Sequence, residues 1–109
     1  MMINRHALFL VASLGLACTF AQAADLAAGQ AKAKEICQAC HGLDGNSPLA
    51  DYPKIGGQYP DYLAKALRDY KSGARKNPIM AGFAGALTAQ DIDNLSAYYA
   101  SQPPVLARY

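Results

Sequence analysis

The sequence predicts an all-α domain of about three main helices joined by long loops. Three observations lead there. Apolar residues recur at helical spacing in three segments, each with cap residues at its start and Gly or Pro at its end. No stretch alternates with period two over a useful length. The connecting segments, Leu43–Tyr59 and Lys76–Leu87, read as loops and need something at the centre to wrap around.

The 109 residues suit one domain, but their first part stands apart. Arg5 and His6 give a short positive start, an apolar run follows from Ala7 to about Ala17, and Ala21-Gln22-Ala23 has the A-x-A form of a cleavage site. Together they predict a secretory signal peptide over residues 1–23 and a domain over residues 24–109. The apolar run is shorter than the roughly 20 residues that cross a bilayer. An uncleaved anchor is the alternative. A lipoprotein acceptor at Cys18 fits less well, because Gly15 sits where such sites favour a branched apolar residue.

The domain carries nine basic and eight acidic side chains. Neither the basic stripe of a nucleic-acid binder nor an acidic disordered tail is present. A chain this small buries a modest core and is usually helped by disulfides, a metal or a bound group. After cleavage only Cys37 and Cys40 remain, so there is no disulfide framework.

The first helix is expected from about Asp25 to Cys40. Asp25 is its N-cap, Leu26, Ala33, Ile36, Cys37 and Cys40 share a face, and Gly42 ends it. The second runs from about Pro60 to Ser72. Pro60 suits the first turn, Leu63, Ala66, Leu67 and Tyr70 form its apolar stripe, and Gly73 is the stop. The third runs from about Thr88 to Gln102. Thr88 and Asp91 form a capping pattern, Ile92, Leu95, Tyr98 and Tyr99 face inward, and Pro103 and Pro104 end it.

The chemistry sits in Cys37-Gln38-Ala39-Cys40-His41, a C-x-x-C-H sequence of the kind that attaches a c-type haem. Thiols three apart on a helix lie on one face. They can reach the two vinyl groups of one porphyrin, and the next residue, His41, then hangs under the ring. The competing readings lack parts. Zinc needs further ligands, a thioredoxin-like pair needs a preceding strand, and a disulfide closing so small a loop would stabilise little. One covalently bound haem c, with its iron, is the expected cofactor.

Once the leader is removed, His41 is the single His and Met80 the single Met. Met80 lies in Asn77-Pro78-Ile79-Met80-Ala81-Gly82, where Pro78 stiffens the approach and Gly82 lets the chain leave close to a ring. Met80 is the expected second axial ligand. A vacant position or a lysine such as Lys76 remains as the alternative. A His/Met pair closes the coordination shell and raises the potential relative to a second His. That favours outer-sphere electron transfer over catalysis. A haem enzyme or gas sensor would need Met80 away from the iron.

The motif together with Met80 resembles the class I c-type cytochromes in their small bacterial monohaem form. The resembling stretches are Cys37–Asn46, Pro53–Gln58 with Tyr62-Leu63, Gly73–Met80, and Leu87–Tyr98. The resemblance implies the cytochrome c fold, with loops wrapped around one haem and the first and last helices crossing at Gly29, opposite Leu95 and Tyr98. It implies a proline carbonyl that accepts from His41, from Pro53 or else Pro48, and a basic residue, Arg75, that meets a haem propionate. It also implies a periplasmic electron carrier, not an enzyme, without stable membrane insertion after cleavage. Its partners would be redox proteins such as a membrane oxidase, a quinol–cytochrome c reductase or a dehydrogenase. A permanent haem c subunit of a larger oxidoreductase is the alternative. Lys71, Arg75 and Lys76 would form a positive docking rim, or else a solvated face.

Overall fold

A computed structural model describes residues 22–104, with 15, 17 and 18 before them. The apolar run of the expected leader lies mostly outside the described residues. Among the described residues there is no strand, and no helix is long and apolar enough to cross a membrane.

The first helical segment is less regular than its periodicity suggests. Helix α1 spans Leu26–Lys32, a π-helical segment covers Ala33–Cys37, and α2 is the short turn Gln38–His41. Asp25 caps α1 by accepting from the Ala28 N–H at 3.1 Å. Leu26, expected on the inner face, is half exposed. Helix α3 spans Pro60–Ser72 and ends at Gly73, with Pro60 in its first turn as predicted.

The segment Lys76–Leu87, expected as a loop, contains helix α4, Pro78–Gly85. Asn77 starts it. Its side chain accepts from the N–H groups of Ile79 and Met80 at 3.0 Å each, while Pro78 needs no N–H partner in the first turn. This capping outweighs the two glycines within the helix, which weaken it by roughly 1 kcal/mol each.

Helix α5 spans Ala89–Ala100 and carries the expected reciprocal cap. The Asp91 N–H donates to Thr88 Oγ1 and the Thr88 N–H donates to Asp91 Oδ2, both at 3.0 Å. That backbone bond holds the Asp91 carboxyl below the usual carboxylate range, with Lys32 helping. Ile92, Leu95, Tyr98 and Tyr99 are buried, together with Ala33 from the π segment, Leu63 and Ala64 from α3, Ala84 from α4, and Leu87.

Helices α1 and α5 cross at Gly29. A Cβ there would stand 2.2 Å from the Asn94 carbonyl oxygen and 2.8 Å from Tyr98 Cβ, so only Gly allows the approach. Asn94 also fastens the crossing. Its Oδ1 accepts from the Asp25 N–H and from Gln90 Nε2, each at 2.8 Å. The loop between α2 and α3 is then folded against the end of α5. Gly45 O accepts from the Ile55 and Gly56 N–H groups at 2.9 and 3.1 Å, and the Gly57 N–H donates to Tyr99 O at 2.9 Å. A Cβ on Gly56 would fall 2.3 Å from Asp44 O, so the two limbs of this loop meet without side chains between them.

Two outcomes follow for the haem-loaded protein. Gly29→Ala should destabilise it by about 2–3 kcal/mol, read as a lower urea midpoint, because neither backbone can give way. Asp91→Asn should be less stable at neutral pH. The contribution of a depressed carboxyl is present above its unfolded pKa, about 4, and is lost as pH falls through the folded value. The gap between wild type and Asp91→Asn should therefore close in acid, as followed by thermal unfolding.

Candidate functional site

The helices and the loop enclose an open cavity of about 320 Å³. The π segment and α2 give it Ile36, Cys37, Cys40 and His41. Helix α3 gives Leu63, Ala66, Leu67 and Tyr70, which is the apolar stripe expected from the sequence. Met80, Phe83 and Ala84 come from α4, and Leu95, Ser96 and Tyr99 from α5. Polar residues, among them Lys54, Gln58, Arg75 and Asn77, also line the wall. All six residues expected to form the site, Cys37, Cys40, His41, Pro53, Arg75 and Met80, line this one cavity.

His41 is buried and directed by its neighbours. Its Nδ1–H donates to the carbonyl of Pro53 at 2.8 Å; Pro48 does not line the cavity. A ring nitrogen opposite a carbonyl carries a proton, so in the neutral imidazole Nε2 keeps its lone pair free. The rest of the turn is fixed from behind. The Ser47 N–H donates to His41 O at 2.8 Å, and Ser47 Oγ donates to Leu49 O at 2.8 Å and Cys40 O at 3.3 Å. Tyr98 and Tyr99 of α5 reach the next carbonyls: their hydroxyls donate to Leu43 O at 2.7 Å and Gly42 O at 3.0 Å.

Burial pushes the Cys37 thiol up to about 11, with Cys40 adding to the rise. A thiol protonated at neutral pH is a poor metal ligand and a slow disulfide-exchange nucleophile. Among the described residues, no three His, Cys, Asp or Glu side chains gather where they could hold a metal ion. The dithiol reading loses support on the first count and the zinc reading on the second.

The donor set fits a haem. Two thiols stand on one wall beside a buried imidazole with Nε2 free, and one thioether shares the cavity with them. Ser96 Oγ is buried in this wall without a hydrogen-bond partner. A buried hydroxyl in that state costs about 1–3 kcal/mol, which is consistent with a wall shaped around a further group.

Arg75 is exposed at the cavity. Its Nη1 donates to Tyr62 Oη at 3.4 Å, and its guanidinium lies 4.9 Å from the centroid of the Tyr70 ring. Lys71, Arg75 and Lys76, the expected positive rim, are all exposed. Lys71 Nζ donates to Leu87 O and so closes the turn between α4 and α5. Sequence reasoning missed this bond, the buried Asn94 bracket and the orphaned Ser96, because all three depend on which backbone groups meet across the fold.

Comparison with known proteins places these features in a family. The family described as cytochrome c oxidase, cbb3-type, subunit III matches residues 24–98. Cytochrome c4 of Pseudomonas aeruginosa is 45% identical over 100 residues, covering 92% of this chain and 49% of its own length. A thiosulfate dehydrogenase electron acceptor of Thiomonas intermedia is 41% identical over 95 residues, covering 86% of this chain and 43% of its own. The crystal structure of reduced recombinant cytochrome c4 from Pseudomonas stutzeri superposes with a TM-score of 0.69 at 42% identity, covering 74% of this chain and 47% of that one. The chain therefore spans about half the length of each of these relatives.

Tyr99→Phe removes the hydroxyl that holds the carbonyl next to His41. It should cost the loaded protein about 1–2 kcal/mol in guanidinium unfolding while leaving the haem attached.

Proposed function

The chain belongs to the cbb3-type cytochrome c oxidase subunit III family of class I c-type cytochrome domains, and on that footing we propose that it carries single electrons between redox proteins in the periplasm through a His/Met-ligated haem. Its cofactor is a covalently bound haem c. The observation that carries the reading is the Nδ1–H bond from His41 to Pro53 O, which leaves Nε2 free in a cavity shared with Met80 and both motif cysteines.

Each residue has a role in this reading. Cys37 and Cys40 would hold the macrocycle as thioethers. His41 would ligate iron through Nε2, with its basicity raised by the Pro53 carbonyl. Met80 would supply the second protein ligand through its sulfur. The bound haem supplies a metal centre that changes oxidation state by one electron. The apolar side chains of the wall, among them Ile36, Leu63, Leu67 and Leu95, would keep water from much of the bound group, so that little rearrangement would accompany that change. Two protein ligands leave no position for O₂, peroxide or a substrate, which argues for a carrier over an enzyme.

The periplasmic reading rests on the leader. Arg5, the apolar run and Ala21-Gln22-Ala23 have the form of a cleaved signal, and the family match begins at residue 24, directly after that site. A dehydrogenase is a favoured donor, because one relative is a thiosulfate dehydrogenase electron acceptor. A membrane oxidase or a quinol–cytochrome c reductase would be the other partner class, since each exchanges single electrons.

Met80→Ala tests the ligand pair. The reduced variant should bind CO rapidly and its potential should fall, whereas reduced wild type should bind CO slowly or not at all. Equal, rapid CO binding by both proteins would instead make this an open-site haem protein. Mass analysis of the periplasmic protein tests cleavage after Ala23 and haem attachment together, since the mass should equal that of residues 24–109 plus one haem.

A further inference from the structure

One side of the cavity carries an organised charge that the ligand set does not use. Arg75 follows α3 closely, and its backbone N–H donates to Asp69 O at 3.0 Å, so the chain folds back over the helix end. Its side chain then meets two tyrosines of α3. The Tyr70 ring takes the face of the guanidinium at 4.9 Å, and Tyr62 Oη accepts one N–H at 3.4 Å. Arg75, Tyr62 and Tyr70 all line the cavity.

A guanidinium is a planar fork with five N–H donors. Stacking uses its face and Tyr62 uses one donor, so most of the fork stays available. Arg75 has no carboxylate partner among the described residues, so its charge is not already neutralised, as those of Lys32, Lys65 and Arg68 are by Glu35 and Asp91, by Asp69 and by Asp93. An exposed arginine ordinarily spreads over many rotamers and loses that freedom on binding. Here two aromatic contacts have restricted it beforehand, which is preorganisation toward an anion.

We infer that Tyr62 and Tyr70 are positioning residues that hold the Arg75 guanidinium against the cavity for a propionate carboxylate of the bound haem. The inference rests on the haem reading and goes beyond it by assigning an electrochemical task to two tyrosines. A fixed cation keeps a neighbouring carboxylate ionised to lower pH. Ionisation of a propionate adds negative charge near the iron and lowers its potential. With the tyrosines in place, that fall should be complete at low pH and the potential flat through the neutral range. Loosening Arg75 raises the carboxyl pKa, so the fall should move to higher pH.

The test is the midpoint potential of the haem-loaded protein as a function of pH, for wild type, Tyr62→Phe, Tyr70→Leu and Arg75→Gln. Tyr59→Phe serves as the control, being 79% exposed. Tyr62→Phe and Tyr70→Leu should each move the fall upward, by roughly threefold in the acid dissociation constant, and Arg75→Gln by at least as much. In the Arg75→Gln background the tyrosine substitutions should add nothing, because they act through Arg75. A purely structural role would lower the unfolding temperature and leave the pH profile where it was, and that result overturns the inference. So does a tyrosine effect that persists without Arg75. If wild type carries no haem, the parent reading fails with it; an unchanged profile in fully loaded variants fails the inference alone.

Discussion

The close approach of α1 to α5 at Gly29 is the constraint on which the rest of this small domain depends. Helix α1 leads through the π segment into both cysteines and His41, so its position sets theirs. Helix α5 supplies the back wall of the cavity and the two tyrosines that grip the chain just after His41. With the helix axes apart, the Asn94 bracket to Asp25 would open and those tyrosine bonds would lose their reach. A single missing Cβ therefore connects backbone sterics to ligand placement. The apolar core is modest, and much of the remaining apolar surface faces the cavity, so the fold is completed by what the cavity holds.

The loop from Leu43 to Tyr59 shows how an irregular segment can place an atom closely. It contains no regular element, yet its limbs are tied by Gly45, Ile55 and Gly56, and its far end by Gly57 to Tyr99. The Pro53 carbonyl then lies within hydrogen-bond distance of His41 Nδ1. Proline serves this position well because it has no N–H to satisfy and its ring restricts the backbone behind the acceptor.

Much of this was legible in the sequence because the signals were local. The C-x-x-C-H spacing, the Thr88–Asp91 cap, Pro60 and Gly73 are short-range patterns whose physics is settled within one turn of helix. Helix α4 was not legible, since a segment with Pro78, Gly82 and Gly85 reads as loop when the Asn77 cap is given too little weight. The choice of Pro53 over Pro48 as the residue facing His41 was open for a different reason. It depends on how the Gly45 and Gly56 limbs meet, which no periodicity encodes. Lys71 looked like free surface charge, and only the packing of α3 against the α4–α5 turn reveals the carbonyl it serves.

The π segment Ala33–Cys37 sets the phase between two faces of one continuous helical run. Upstream of it, Gly29 must point at α5; downstream, Cys37, Cys40 and His41 must point into the cavity. A wide turn accommodates one extra residue, and each residue of helix corresponds to a rotation of about 100°. Winding the same five residues, Ala33–Cys37, as regular α-helix would turn the thiols and the imidazole about a quarter-circle out of line. The irregular turn thus works as an indexing step, through which a packing contact fixes the compass bearing of a binding motif two turns away.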